Sequence, residues 1–300
     1  MFSSLFLFPF KCLGTYTIVS YDTDTGNVGG TGTTCITEDG IQVSIVYASV
    51  PSKGVVAAQS AVNITARDIA IQKIKSGENS SVIIEEFQNN KAIDIEQYGI
   101  VTSHENKGYT GSSCSKWAGD IQGQVNGFEF SFQGNILTSN KVGSQASAAF
   151  IETKPNAFTN DAFSFDDKIN KRGCEMAWRL FHAVQAGEEN GQGDSRCEGR
   201  AGTTSFLRVD LNNGEDTGVF YKDGPGATAC LSQTLENNVP NFMKGMLSFY
   251  KSPIHCDFTQ RGYPKAFLSI EIAADGDSDP LEKLDNQFRS WAKINNCDEE

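Results

Sequence analysis

The chain has 300 residues, of which 21% are charged and 39% are hydrophobic, and its formal net charge at pH 7 is −12. Binding to nucleic acid requires clustered Lys and Arg that contact phosphate groups. This acidic chain contains no such cluster, so we expect no nucleic-acid partner. The longest apolar run, residues 1–10, is too short to span a bilayer and is interrupted by Pro9, so we expect no membrane partner either. The length suits one main domain with additions.

The first 14 residues resemble a clipped secretory signal. An apolar stretch leads into Cys12-Leu13-Gly14, which puts small residues at positions −3 and −1 of a cut after Gly14, although the stretch lacks a basic region before it. A cut there makes Thr15 the N-terminus, and the alternative is an uncut N-terminal arm. Two glycosylation sequons, Asn63-Ile64-Thr65 and Asn79-Ser80-Ser81, also fit secretion. The expected location is therefore secreted or extracytoplasmic.

Eight cysteines are numerous for a cytosolic protein, and none is spaced as Cys-x-x-Cys. We therefore expect disulfides rather than a zinc site, with isolated buried thiols in a reducing compartment as the alternative. Spacing does not encode which cysteines pair. Cys35 and Cys114 are our candidates for a disulfide beside the first strand, and the loss of Cys12 with a leader leaves at least one cysteine free or paired with another molecule.

The sequence of the first third of the chain predicts four strands followed by two helices. Alternating residues predict a strand from Thr15 to Asp22, and the glycine-rich stretch 28–36 can pair back with it as a hairpin. Further strands are predicted over 41–48 and 54–61. Thr65 is the expected N-cap of the first helix, which stops at Gly77, and Ser80 or Ser81 opens the second.

The chain then returns to strands over 96–102, 108–113 and 128–137, and a helix follows from 139 to 150. A long amphipathic helix stops near Gly187, and a strand follows over 203–211. Residues 212–263 break this rhythm and are interpreted as an insertion with a helix around 242–250. A last strand at 267–273 and a helix from Asp279-Pro280 to about Ile294 complete the fold.

Strands in runs, followed by helices in runs, favour two packed sheets with helices outside over a parallel doubly wound sheet. We therefore expect residues 1–14 to be a leader, 15–211 and 264–294 to form the main domain, 212–263 to be an insertion, and 295–300 to be a tail.

Several short blocks resemble, in order, the bacterial-type domain of unknown function 1028 family, which is grouped by fold with the N-terminal nucleophile (Ntn) hydrolases. The blocks lie at 15–22, 55–59, 97–101, 111–119, 133–137, 183–196 and 279–280. The resemblance implies an α+β fold, a four-layer α-β-β-α sandwich of two mainly antiparallel sheets. It also places Thr15 at the start of the first strand, where Ntn enzymes carry the nucleophile, and Gly14-Thr15 resembles the processing point of proteasome β subunits.

Thr15 is the candidate nucleophile because a terminal threonine carries its own base. The α-amino group has a reference pKa of roughly 7.7 to 8.0, which makes it a base near neutral pH without any histidine. Asn135 is a candidate donor to the oxyanion, with turn chemistry as the alternative. Asp22 and Thr34 complete the candidate catalytic set. Many relatives carry Ser-Lys where this chain has Thr34-Cys35, so the lysine that helps to set the protonation of the amine is absent.

Two further segments carry charged residues that are typical of binding sites. Asp194 and Arg196 are candidates for binding a substrate carboxylate, with a structural ion pair as the alternative. Residues 275–279 imitate the start of a calcium loop, but Pro280 and Asn286 replace the required Gly and Glu, so helix capping explains the segment better. We therefore expect no metal and no other cofactor.

Two functions fit these residues. The first is an Ntn-type amidohydrolase for a small-molecule or peptide amide, with Thr15 exposed by cleavage after Gly14. The second is a secreted, non-catalytic binding or assembly module that retains the fold, which Cys35 at the lysine position, the many cysteines and the insertion favour. A homo-oligomer is compatible with either function.

Overall fold

The computed structural model describes residues 14–35, 46–89, 94–115, 117–153, 165–189, 193–197, 202, 204–212, 220–221, 268–272, 280–295 and 297. The strands are β1 Thr15–Asp22, β2 Val28–Thr34, β3 Tyr47–Val50, β4 Gly54–Ser60, β5 Glu96–Thr102, β6 Asn106–Thr110, β7 Gly119–Val125, β8 Phe128–Asn135, β9 Thr204–Asp210, β10 Phe220–Tyr221 and β11 Leu268–Ile272. The helices are α1 Ile64–Lys75, α2 Ser80–Asn89, α3 Lys141–Glu152, α4 Phe165–Glu188 and α5 Pro280–Ile294. The fold is thus mixed α+β, as predicted.

The strands form two antiparallel sheets. The larger sheet has the order β11-β9-β2-β1-β8-β7, and the smaller one has the order β10-β3-β4-β5-β6. The predicted hairpin of β1 and β2 is confirmed, with Thr15 opposite Thr34 and Tyr21 opposite Val28. β8 lies on the other side of β1, so that β1 is an interior strand of the larger sheet.

Three apolar clusters hold these elements together. One joins the larger sheet to α3, α4 and α5 and includes Tyr16 and Ile18 of β1. The second joins the smaller sheet to α1 and α2. The third lies between the sheets and includes Val19 of β1, Val55 of β4 and Val101 of β5. Successive side chains of a strand point to opposite faces, so β1 is buried on both faces, one against helices and the other against the smaller sheet.

Several predicted boundaries are corrected. The side chain of Asn63, rather than that of Thr65, caps α1 by accepting a hydrogen bond from the backbone N–H of Ala66 at 2.9 Å. Strand β7 was missed because its inward face carries Asp120 and Gln122, so it lacks the apolar alternation of a typical strand. β10 lies within the predicted insertion and pairs with β3. The helix expected around 242–250 lies outside the described residues, as do residues 41–45 of the predicted third strand.

The cysteine pairing differs from the one we proposed. Cys35 pairs with Cys197, and Cys174 pairs with Cys297, with Cα–Cα distances of 5.5 Å and 5.3 Å. The Cys35–Cys114 disulfide was wrong because Cys35 follows β2 in the larger sheet, whereas Cys114 follows β6 in the smaller sheet and lies 3.6 Å from Ser60 Oγ. No helix in the described part of the chain is long and apolar enough to cross a membrane.

Candidate active site

Three of the predicted site residues lie side by side at one end of the larger sheet. Thr15 begins β1 and is directly opposite Thr34 of β2 on one side and Asn135 of β8 on the other. The side chain of Thr17 contacts Gln59 of the smaller sheet, and residues two apart on a strand share a face. Thr15 therefore faces the smaller sheet, and it is only 2% exposed.

The peptide carbonyl before Thr15 is bound by two side chains. Arg196 Nη2 donates to the carbonyl oxygen of Gly14 at 2.6 Å, and the Thr34 hydroxyl donates to the same oxygen. The Thr15 hydroxyl in turn donates to Thr34 Oγ1 at 3.2 Å. A chain of two hydroxyl groups and a guanidinium thus surrounds the bond between Gly14 and Thr15.

The ion pair of Asp194 and Arg196 fixes this guanidinium. Asp194 is fully buried at its side chain and accepts from Arg196 Nη2 at 2.5 Å, while the Arg196 side chain is 33% exposed. Asp194 also accepts from the backbone N–H groups of Arg196 at 3.0 Å and Cys35 at 3.3 Å. The predicted pair is therefore present, and it lies beside Thr15 and Thr34. Such charge-assisted hydrogen bonds are stronger than neutral ones.

The turn that carries this ion pair is anchored to the end of β8 and to the end of β2. The backbone N–H of Ser195 donates to the carbonyl of Ile136 at 2.8 Å, and the Cys35–Cys197 disulfide joins the residue after Thr34 to the residue after Arg196. The positively charged guanidinium of Arg196 therefore lies beside Thr15, although β2 lacks a lysine. It comes from the turn after α4, which is about 160 residues further along the chain.

Gly14 packs closely against the ion pair of Asp194 and Arg196. A Cβ atom there would lie 2.6 Å from Asp194 Oδ2 and 2.8 Å from Arg196 Nη2. Both distances are below van der Waals contact, so a larger residue would displace the ion pair from the Gly14 carbonyl.

Asn135 forms a buried network between the sheets with three glutamines that our sequence analysis did not predict as site residues. Gln59 of β4, Gln97 of β5 and Gln133 of β8 are all 0% exposed, as is Asn135. Gln59 Nε2 donates to the carbonyl oxygens of Thr15 at 3.0 Å and Gln133 at 3.1 Å. The signal in the sequence was an amide side chain at an inward position of an otherwise apolar strand, as in Gly54–Ser60. Buried polar side chains of this kind require partners.

The amide nitrogen of Asn135 donates to Gln97 and does not donate to the Gly14 carbonyl. Asn135 Nδ2 donates to Gln97 Oε1 at 2.8 Å, whereas the groups that donate to Gly14 are Arg196 and Thr34. The other amide atom, Asn135 Oδ1, is buried and accepts no hydrogen bond from any residue that the structure describes. An unsatisfied buried acceptor costs about 1–3 kcal/mol.

Asp22 lies far from Thr15. It ends β1, seven residues after Thr15, which corresponds to roughly 23 Å at about 3.3 Å per residue. Its carboxylate is fully buried and accepts from Arg172 Nε of α4 at 3.0 Å and from the hydroxyl of Thr25. Burial acts to lower the pKa of Arg172, but the hydrogen bond and charge of Asp22, together with the charges of Glu175 and Asp24, outweigh it and raise that pKa. Asp22 thus joins β1 to α4.

On the opposite face of β1 from Thr15, Tyr16 lies against α4. Its hydroxyl donates to the carbonyl of Val184 at 2.7 Å. Burial, followed by the charge and hydrogen bonding of the nearby Glu188 carboxylate, raises the pKa of Tyr16 well above its ordinary value. Tyr16 therefore stays neutral and fixes the start of β1 against the helix.

Comparison with known proteins relates most of this fold to one family. The family described as "Family of unknown function (DUF1028)" matches residues 15–215. The crystal structure of protein SPO2555 from Silicibacter pomeroyi, which carries the same family name, has a TM-score of 0.48 and 15% identity, over 77% of this chain and 93% of that protein. No curated protein matches the chain.

Proposed function

This chain belongs to the DUF1028 family, whose function is unknown, and we propose that it is an amide hydrolase whose nucleophile is Thr15, exposed by cleavage after Gly14. The observation that carries the proposal is the set of donors around the bond to be cut. The Gly14 carbonyl oxygen accepts from Arg196 and Thr34, and the Thr15 hydroxyl belongs to the same hydrogen-bonded chain.

The proposed fold is the four-layer α-β-β-α sandwich of the Ntn hydrolases. The three apolar clusters support it, because helices cover the outer face of each sheet and the third cluster lies between the sheets. In such a sandwich the start of an interior strand of one sheet carries the nucleophile, and Thr15 begins β1. The family match also begins at Thr15, which supports residues 1–14 as a leader.

The first reaction is cleavage of the chain by its own threonine. Thr15 Oγ attacks the carbonyl carbon of Gly14, and negative charge develops on the oxygen that Arg196 and Thr34 hold. The bond from that carbon to the Thr15 nitrogen breaks, and an ester to Thr15 Oγ forms. The hydroxyl proton moves to the departing nitrogen, which becomes an amine. One water then hydrolyses the ester, which releases Gly14 as a carboxylate and restores the Thr15 hydroxyl.

The second reaction uses the new N-terminus on a separate amide. The α-amine takes the proton of the Thr15 hydroxyl as it attacks the substrate carbonyl, because its reference pKa of roughly 7.7 to 8.0 makes it a base near neutral pH. With the leader gone, Arg196 and Thr34 can donate to the substrate oxygen instead of Gly14. The same donors thus serve both reactions. The two disulfides support a secreted location.

The test is the mass of the chain after membrane-free translation of the full-length sequence, which excludes signal peptidase. We expect the wild-type chain to lose residues 1–14, Thr15→Ser to do the same, and Thr15→Ala to remain intact. Thr23→Ala, an exposed threonine in the turn at the far end of β1, is the matched control and is expected to cleave normally. An electrophilic probe for terminal hydroxyl nucleophiles is then expected to label the wild-type chain at Thr15 only after cleavage.

A second candidate function is a secreted, non-catalytic module that retains this fold. The observation that favours it is the burial of Thr15, which is 2% exposed and has its carbonyl and hydroxyl oxygens hydrogen-bonded. An intact Gly14–Thr15 bond in membrane-free translation overturns self-cleavage. A secreted wild-type chain that still keeps this bond supports the second function and overturns the hydrolase.

A further inference from the structure

The amide groups between the two sheets have orientations that backbone carbonyls dictate. A backbone carbonyl only accepts hydrogen bonds, so the side-chain atom that faces it must be an amide nitrogen. Gln97 Nε2 faces the carbonyl of Gly134 at 2.7 Å. Gln59 Nε2 faces the carbonyls of Thr15 and Gln133 at 3.0 and 3.1 Å. Exchanging the amide oxygen and nitrogen of either glutamine would place its Oε1 atom against a backbone carbonyl oxygen, and two acceptors cannot form a hydrogen bond.

These two orientations determine that of Asn135. Because the nitrogen of Gln97 faces Gly134, its Oε1 atom accepts from Gln59 Nε2 at 3.1 Å and from Asn135 at 2.8 Å. The atom of Asn135 that faces Gln97 must therefore be the donor Nδ2. The other amide atom of Asn135 is therefore the acceptor Oδ1. The residue is 0% exposed, and Oδ1 accepts no hydrogen bond from any described residue.

Asn135 lies beside the start of β1. Asn135 and Thr15 are directly opposite each other on neighbouring strands, and directly opposed residues share a face with their Cβ atoms about 4.5–5.5 Å apart. The Thr15 hydroxyl is directed to Thr34 on the other side of β1. Cleavage after Gly14 creates new N–H groups at Thr15, at the same end of the sheet.

We propose that Asn135 Oδ1 accepts a hydrogen bond from the α-amine of Thr15 and thereby positions that amine as the base, rather than donating to the oxyanion. This inference rests on the proposed function, because the amine exists only after cleavage. Asn135 is thus a positioning residue for the nucleophile, and Gln97 and Gln59 fix its orientation from the smaller sheet.

The test is the pKa of the Thr15 α-amine in the cleaved protein, measured from the pH dependence of its acylation and read by mass spectrometry of the N-terminal peptide. An acceptor on the amine favours the charged form, so Asn135→Leu is expected to lower the amine pKa by about one unit. Asn135→Asp keeps an oxygen and adds a negative charge, so it is expected to raise the amine pKa by about one unit. Both variants lose the bond to Gln97, so structural damage alone would shift both values in the same direction.

Ser205→Ala is the matched control, because Ser205 Oγ is also a buried polar atom without a hydrogen bond from the described residues, two strands away from β1 in the same sheet. This variant is expected to leave the amine pKa unchanged. If Asn135→Leu does not fold or does not cleave, Asn135→Asp decides, and an unchanged or lowered amine pKa in that variant overturns the inference. A wild-type chain that never exposes Thr15 overturns the proposed function together with the inference, whereas a cleaved chain with equal amine pKa values overturns the inference alone.

Discussion

At the scale of single residues, the positive charge beside Thr15 comes from Arg196, and its position depends on Asp194. The guanidinium donates to the Gly14 carbonyl at 2.6 Å and is held by a fully buried carboxylate at 2.5 Å. Arginine stays protonated in proteins, so it cannot serve as the base. It can stabilise negative charge on the carbonyl oxygen, and in the proposed reaction on a separate amide the α-amine of Thr15 is the base.

Arg196→Leu is expected to slow the cleavage after Gly14 by about 10²–10³-fold, the loss typical for one oxyanion donor. Arg196→Lys keeps the charge but loses the planar fork that spans Asp194 and Gly14, so an intermediate rate is expected. The measurement is the time course of intact mass during membrane-free translation. Arg289→Leu is the control, since this arginine is 52% exposed and pairs with Asp285 on α5. Cleavage of Arg196→Leu at the wild-type rate would contradict the role of this residue.

At the scale of elements, the Cys35–Cys197 disulfide joins the end of β2 to the turn after α4. Thr34 and Arg196, which both donate to the Gly14 carbonyl, directly precede the two cysteines. The second disulfide, Cys174–Cys297, joins α4 to the residues after α5, where Trp178 Nε1 donates to the carbonyl of Cys297 at 2.5 Å. The two disulfides join residues that are 162 and 123 positions apart in the sequence. Because both close long loops, removal of Cys174–Cys297 is a suitable control for removal of Cys35–Cys197.

Removing either disulfide by a double Cys→Ser change is expected to lower the free energy of unfolding by about 2–5 kcal/mol. Only the loss of Cys35–Cys197 is expected to slow the cleavage after Gly14 as well, by roughly tenfold, because it frees the turn that holds Arg196. Denaturant midpoints measure the first effect, and intact mass measures the second. Equal cleavage rates in the two double variants would show that the disulfide beside the site contributes to stability alone.

The sequence predicted most elements of this fold, since β1, β2, β4, β5, β8 and the later helices have clear hydrophobic patterns or end signals. It also predicted Thr15, Thr34 and Arg196 as site residues, which the structure places together. Gln59 and Gln97 were missed because their hydrogen-bond partners lie on the opposite sheet, and the sequence of a single strand does not reveal those partners. Asp22 lies close to Thr15 in the sequence but at the far end of an extended strand. The pairing of Cys35 with Cys197 depends on the path of the intervening chain, which spacing does not encode.

At the scale of the whole molecule, each of the three apolar clusters contains a buried tyrosine beside a carboxylate. Tyr16 belongs to the cluster under α4, Tyr98 to the cluster under α2, and Tyr47 to the cluster between the sheets. Their hydroxyl groups lie near Glu188, Glu96 and Asp210, respectively. Burial, followed by the negative charge and hydrogen bonding of these carboxylates, raises all three pKa values above the ordinary tyrosine value.

This shared feature predicts a loss of stability at alkaline pH. Below a pH of about 10 a tyrosine is neutral in both states, so its stabilising contribution is fully present. Above that value the unfolded chain releases the proton while the folded chain retains it, and the contribution falls as the pH rises towards the folded pKa. Each such tyrosine lowers the free energy of unfolding by up to about 1.4 kcal/mol per pH unit. The measurement is chemical denaturation between pH 9 and about 11.

Tyr98→Phe is the variant that isolates one contribution, because Tyr98 is 0% exposed and its hydroxyl donates to Glu96. The slope of the free energy of unfolding against pH is expected to become shallower by up to about 1.4 kcal/mol per pH unit relative to wild type. Tyr109→Phe is the matched control on the neighbouring strand β6, where the tyrosine is only partly buried and a smaller change in slope is expected. If the slopes of Tyr98→Phe and wild type coincide above pH 10, Tyr98 ionises in the folded protein as readily as in the unfolded chain, and burial beside Glu96 does not oppose its charge.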